Sequence, residues 1–299
     1  MADSVTLVEV GPRDGLQNEK AVIPAAIKIE LIRRLAAAGL PVVESSSFVS
    51  PKWVPQLADA AEVLAALDLA STDTRYPVLV PNLQGFERAL QSGVKEIAVF
   101  AAASESFSQK NTNCSIEVSL QRLLLVIEQA KAQDIAVRGY ISCVLGCPYE
   151  GAIAVSAVRN LAEQLLAAGC FEISLGDTIG VGTARQAQNL VQELCKTIPV
   201  RQLAVHFHDT YGQALANILA CLEAGVRVVD ASVAGLGGCP YARGATGNVA
   251  TEDVVYMLHG LGMQTGVDLP ALATTGEWIS DQLGRDNNSR AGRALLKTR

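Results

Sequence analysis

Four stretches of this chain repeat one design, and that repetition restricts the fold more than any other feature. AAAGLPVVESSSF, LQSGVKEIAVF, LAAGCFEISLGD and LEAGVRVVDASVAG each carry a helical segment into a glycine and then into an apolar strand. Gly39, Gly93, Gly169 and Gly225 stand where a helix must turn through a left-handed residue, a conformation that costs glycine little. The four glycines lie 54, 76 and 56 residues apart, so one further strand and helix fit between each pair. The intervening strands are visible at 75–81, 136–144 and 203–209, with VTLVEVG at 5–11 as the first.

Eight strands alternating with helices follow from this reading. PAAIKIELIRRLAAAG illustrates the helices, with Pro24 near the first turn, apolar Ile27, Leu31 and Leu35, and Gly39 as its stop. Near-continuous apolar strands between amphipathic helices indicate a parallel sheet covered by helices. Eight units favour a (β/α)8 barrel over an open doubly wound sheet, and the length of 299 residues accommodates one. No G-x-G-x-x-G follows the first strand, which speaks against a dinucleotide-binding fold. Residues beyond about 262 show no strand pattern. The expected organisation is one barrel domain over 1–299, with about 262–299 a helical extension packed on it.

Composition narrows the functional classes. A chain 49% hydrophobic and 18% charged can bury a large core. Its net charge of −6 argues against a nucleic-acid partner, and no apolar run approaches the roughly 20 residues of a membrane span. Seven cysteines form no recognisable zinc framework and are odd in number, which fits a reduced, cytoplasmic setting. Strand-like residues from Val5 leave no room for a targeting peptide. Cys143 and Cys147 could pair, but two buried thiols are the simpler reading.

In a barrel of this kind the active site lies at the C-terminal ends of the strands, so polar residues at strand-to-loop junctions are the candidates. The first strand gives Glu9, Arg13, Asp14 and Gln17, and the second gives Glu44 and Ser47. The fifth leads to Cys143 and Cys147, and the sixth to Asp177 and Thr178. The seventh gives His206, His208 and Asp209. The eighth leads into GLGGCPYARGATGN with Gly237, Gly238, Cys239, Arg243 and Asn248. His206 and His208 flank a single residue, so on a strand both imidazoles face one side with Cα atoms about 6–7 Å apart. Such a pair beside a carboxylate can be a metal site or two hydrogen-bonded rim residues. Glu44 and Asp177 serve as often in ion pairs or loop pinning as in chemistry, and Asp209 can cap the next helix. Two imidazoles, Asp14 and the Asn248 carbonyl oxygen would form a mixed nitrogen and oxygen site. That favours Mg²⁺ or Mn²⁺ over structural zinc, while leaving catalytic zinc open.

Beyond these residue-level arguments, six segments carry a resemblance. GPRDGLQNEK (11–20), ESSSFVSPKWVPQ (44–56), RGYISCVLGCPYEG (138–151), SLGDTIGVGT (174–183), HFHDTYGQALAN (206–217) and GLGGCPYARGATGNVATEDVVYML (235–258) closely resemble the 3-hydroxy-3-methylglutaryl-CoA lyases. The match runs from about residue 5 to 290. It includes two departures: Ala184 where proline is common in the family, and Val118 where an acid is common, both on expected helix starts. The family belongs to metal-dependent (β/α)8 lyases related to isopropylmalate and homocitrate synthases. The arginine, aspartate and H-x-H are shared with those relatives, whereas the GLGGCPYA loop is particular to the lyases.

The resemblance implies cleavage of 3-hydroxy-3-methylglutaryl-CoA to acetyl-CoA and acetoacetate, with one divalent cation, Mg²⁺ or Mn²⁺, as cofactor. It implies Asp14, His206, His208 and Asn248 as ligands, Arg13 over the thioester carbonyl and Cys239 in proton transfer. Asp14 and Glu44 would join Arg13 and Cys239 as catalytic residues, and Gln17, Ser47, Asp177, Gly237 and Gly238 would support or bind the substrate. It also implies an acyl-CoA partner and a homodimer, with leucine degradation and ketone-body formation as the family's setting. A lyase for a longer branched ester, or a Claisen-condensing synthase, is the alternative enzyme. Lys52, Lys110 and Arg243 are the candidate cations for the CoA phosphates.

Overall fold

A computed structural model describes residues 3–70, 73–238 and 247–297. Nine hydrogen-bonded segments occupy eight strand positions, all paired in parallel. They are β1 (Thr6–Glu9), β2 in two pieces (Val42–Val43 and Ser46–Ser47), β3 (Val78–Leu79) and β4 (Glu96–Ala102). The others are β5 (Ala136–Ser142), β6 (Glu172–Asp177), β7 (Leu203–Phe207) and β8 (Val228–Ala231). The first piece of β2 pairs with β1 and the second with β3. Between them the Glu44 amide donates to Glu9 O and the Ser45 amide to Pro77 O, both at 2.9 Å. These bonds close the ring, so the sheet is the expected (β/α)8 barrel with one kinked strand.

The glycine stops behave as the sequence implies. Gly39, Gly93, Gly169 and Gly225 have φ of +89°, +77°, +128° and +101°, so each reverses the chain from helix to strand. The helices following the first four strands are α1 (Ala25–Ala37), α2 (Ala60–Ala65), α3 (Leu83–Gln91), α4 (Glu105–Thr112) and α5 (Ile116–Ala132). The remaining barrel helices are α6 (Val155–Ala168), α7 (Ala184–Leu194), α8 (Ala214–Glu223) and α9 (Thr251–Gly260). The two departures from the family pattern do lie at helix starts. Ala184 follows the Thr183 cap, which forms a capping box with Gln186, and the Val118 amide donates to Ser115 Oγ at 3.2 Å. Leu31 and Leu35 of α1 are fully buried against the strands.

Beyond the barrel, α10 (Leu269–Leu283) and α11 (Arg290–Lys297) follow, and both are helical as expected. Helix α10 lies against α1, where the Arg34 guanidinium sits 4.3 Å from the centre of the Trp278 ring, and α11 packs on α9 and α10. No helix among the described residues is long and apolar enough to cross a membrane.

Candidate active site

The turn after β1 aims the first two functional side chains. Pro12 opens one turn of π-helix at Gly11–Gly15, in which Val10 O accepts from the amides of both Asp14 (2.7 Å) and Gly15 (3.1 Å). Such wide turns recur at functional sites because they re-aim consecutive side chains. Here Arg13 and Asp14 share an ion pair of 2.7 Å, and the other face of Arg13 meets Glu44 Oε2 at 2.8 Å. Burial alone would favour the neutral guanidine, but the flanking carboxylates outweigh it and keep Arg13 charged.

Opposite that turn stands the histidine pair, on and just beyond β7. His206 Nε2 lies 3.8 Å from Asp14 Oδ2, and the two imidazole centres are 5.6 Å apart. One ligand atom from each of Asp14, His206 and His208 falls within 4.8 Å of the others. Burial pushes the Asp14 carboxyl up, yet Arg13 and the two imidazoles more than reverse this and hold it well below the usual range. His208 is pushed down to about 4 by burial and by its neighbour His206, against the pull of Asp14, so it is neutral at pH 7. Its Nδ1 is buried with no hydrogen-bond partner among the described residues. An ionised carboxylate, a neutral imidazole and an orphaned buried nitrogen on one point are the chemistry a divalent cation satisfies, so these residues fit the implied metal.

Asn248 completes the group in a form that differs from expectation. Its Nδ2 donates to Asp14 Oδ2 at 2.8 Å and to Leu236 O at 3.2 Å, so nitrogen rather than oxygen faces the acid. A carboxylate calls for a donor, whereas the same amide turned over presents Oδ1 to a cation. The two described ends of the glycine-rich segment meet beside this residue. Gly237, at φ +124°, would place a Cβ 2.7 Å from Asn248 Nδ2, and a Cβ on Gly247, at φ +89°, would lie 2.5 Å from the Gly237 carbonyl. Only glycine allows the two ends of the loop to meet at these positions. Cys239 and Arg243 lie outside the described residues.

The other expected residues divide into two groups. Glu44 is in the site through Arg13 and through Tyr140, whose hydroxyl donates to Glu44 Oε2 at 3.3 Å. Gln17 is half-buried just past the π-turn. Ser47 Oγ accepts from the Val49 amide at 3.1 Å, and Asp177 uses both oxygens on the amides of Val181 (3.2 Å) and Gly182 (2.8 Å). Those bonds pin the loops that follow β2 and β6. Glu9, at the end of β1, is a structural anchor bound to the amides of Gly11 and Val233 and to Thr251 Oγ1. Asp209 accepts from the Ala214 amide at the start of α8. Cys143 and Cys147 are both buried, and Cys147 Sγ lies 2.9 Å from Ser104 Oγ.

Sequence reading missed three buried residues. Tyr140 sets its ring edge-on to His206 at 5.9 Å, with the guanidinium carbons of Arg13 and Arg138 5.6 and 4.9 Å from its centre. Arg138 and Asp230 pair beneath it. The available signal was a charged or polar residue at alternate, inward-facing positions of β5 and β8. Beside the mouth, a cleft of about 370 Å³ is lined by Asn18, Lys20, Gly237, Gly238 and Arg285 among others, bringing two cations that the sequence reading did not select.

A closed parallel barrel with this cluster at its C-terminal face defines a (β/α)8 enzyme with a candidate metal centre. The HMGL-like family model matches residues 4–279, and the chain belongs to that family. It is 60% identical over 98% of its length to the 3-hydroxy-3-isohexenylglutaryl-CoA/hydroxy-methylglutaryl-CoA lyase of Pseudomonas aeruginosa, covering 97% of that protein. It is also 58% identical over 97% of its length to an Arabidopsis thaliana hydroxymethylglutaryl-CoA lyase, of which it spans 62%. Names among such relatives include both mitochondrial and cytoplasmic forms.

Solved structures agree. The crystal structure of hydroxymethylglutaryl-CoA lyase from Pseudomonas aeruginosa superposes with a TM-score of 0.97 at 58% identity, covering 100% of this chain and 99% of that one. An HMG-CoA lyase from Acenitobacter baumannii in complex with coenzyme A and 3-methylmalate superposes at 0.93 with 37% identity, covering 98% and 95%.

Proposed function

We propose that this chain cleaves 3-hydroxy-3-methylglutaryl-CoA into acetyl-CoA and acetoacetate. The observation that carries this reading is the convergence of Asp14, His206 and His208 on one point beside the buried guanidinium of Arg13, in a chain so similar to named lyases along its whole length. Asp14, His206, His208 and Asn248 would hold one Mg²⁺ or Mn²⁺, which when bound lowers the pKa of the tertiary hydroxyl. Asp14, ionised across the neutral range, or a neighbouring base would accept the proton of that hydroxyl. The O–H electron pair then forms the ketone of acetoacetate as the carbon–carbon bond breaks. The released pair passes to the acetyl-CoA enolate, whose negative oxygen Arg13 stabilises. The Cys239 thiol delivers the proton that completes the acetyl methyl group. Glu44 holds Arg13 from its other side, while Gln17, Ser47, Asp177, Gly237 and Gly238 would bind or support the substrate.

For the phosphates of the CoA tail, Lys20 and Arg285 at the cleft beside Gly238 join Lys52, Lys110 and Arg243 as candidate cations. The reading extends to a cytoplasmic setting, in line with an odd cysteine count and no zinc framework, and to one barrel domain over 1–299 acting as a homodimer. A second reading, a lyase for longer branched esters, is favoured by the isohexenyl substrate in the name of the Pseudomonas relative. A panel of branched 3-hydroxyacyl-CoA esters with Mg²⁺ or Mn²⁺ decides between them. Release of acetoacetate from the methyl substrate at the highest kcat/KM supports the first reading. Turnover of only the longer esters overturns it.

A further inference from the structure

We infer that Arg138 and Asp230 are positioning residues that fix His206 in the tautomer and orientation needed at the metal centre. The two side chains come from β5 and β8, 92 residues apart, and meet inside the barrel. Arg138 Nη2 donates to Asp230 Oδ1 at 2.7 Å and Nη1 to Oδ2 at 3.0 Å, a bidentate pair. Arg138 Nε is itself held by Glu172 Oε1 at 2.7 Å, and Ser174 Oγ donates to Asp230 Oδ2 at 2.8 Å. Asp230 Oδ2 then lies 3.3 Å from His206 Nδ1.

These contacts leave His206 one arrangement. A carboxylate gripped by a guanidinium offers only lone pairs, so the ring proton must sit on Nδ1 to satisfy it. Nε2 is thereby left with its lone pair, and it is Nε2 that faces Asp14 Oδ2. Carboxylates that orient a metal-binding imidazole in this way commonly govern affinity by roughly 10–100-fold. Arg138 adds a second effect. Its bidentate grip stops Asp230 from rotating, and Tyr140 stacked between Arg138 and Arg13 passes that rigidity to the other wall of the site.

The inference rests on the reading of Asp14, His206 and His208 as ligands, and the experiment separates the two. The chain has only three histidines, so ¹⁵N-detected imidazole spectra of the metal-free protein are readily assigned. His206 is expected as the Nδ1–H tautomer in the unmodified protein. In Asp230→Asn the amide can donate, and the ring is expected to shift toward Nε2–H. Mn²⁺ affinity by titration calorimetry should then fall about 10–100-fold with far-UV circular dichroism unchanged. Ser174→Ala, which removes one support of Asp230 without touching the ring, should lower affinity less. An Nε2–H tautomer in the unmodified protein overturns the inference even if Asp230→Asn fails to fold. So does a folded Asp230→Asn with unchanged tautomer and affinity. If His206→Ala binds Mn²⁺ as tightly as the unmodified protein, it is the metal-site reading that fails.

Discussion

Glu252→Gln isolates one pH-dependent strain in the scaffold. Glu252, near the start of α9, is fully buried, and both its oxygens face the Ala234 amide at 3.1 and 2.9 Å, beneath the loop that leads to Gly237. Burial pushes its carboxyl from 4.5 up to about 8, more than its backbone hydrogen bonds recover, and Glu9 adds to the shift. A carboxyl raised in the folded state stabilises when protonated. Its contribution is complete below about pH 4.5 and is lost as pH rises through about 8. At 1.36 kcal/mol per unit, the full span is worth about 5 kcal/mol, of which about 1.5 kcal/mol falls between pH 6.5 and 8. That window avoids His208, whose depressed pKa makes stability rise with pH between about 4 and 6.5. Glu9, raised to about 7, carries the same sign as Glu252 but is present in both proteins. Urea unfolding at fixed ionic strength should therefore show the unmodified protein losing about 1.5 kcal/mol more than Glu252→Gln from pH 6.5 to 8. Parallel pH curves for the two proteins would refute the burial argument.

Three further outcomes follow from the site. Arg13→Gln should lower kcat/KM for acetoacetate release on the order of 10²–10³, and a loss under tenfold would remove Arg13 from its assigned role. Cys239→Ala should keep Mn²⁺ affinity and lose turnover, whereas His206→Ala should lose affinity first; calorimetry beside steady-state kinetics distinguishes them. Gly247→Ala places a methyl group against the Gly237 carbonyl at a left-handed φ, a strain of about 1–3 kcal/mol. It should cut turnover at least tenfold while the barrel still unfolds cooperatively by circular dichroism.

Some of this molecule is legible without coordinates because the forces involved are local. The left-handed φ at Gly39, Gly93, Gly169 and Gly225 is a steric requirement of the helix ends, and four of them at these intervals imply the alternation that builds a barrel. The pairing of His206 with His208 on one side follows from strand geometry alone. Asp177 marks the boundary of such reading. A carboxylate at a strand end is visible in the sequence, but its use of both oxygens on the Val181 and Gly182 amides depends on how the following turn closes.

The sequence by itself thus determined the strand and helix order and pointed to Asp14, His206 and His208, which converge on one point, since each depends on chain stereochemistry over a few residues or on motifs shared with relatives. Only the tertiary structure decided the partners of buried charge. Arg138 reaches Asp230 across 92 residues, and Asp14 meets Asn248 across 234. Lys28, which a helical wheel treats as one more polar residue, is buried against Asp59 and the Gln56 carbonyl. The physical reason is the cost of desolvation: a charge inside the barrel is tolerable only where a specific opposite charge or dipole faces it, and which distant strand supplies that partner is fixed when the ring closes.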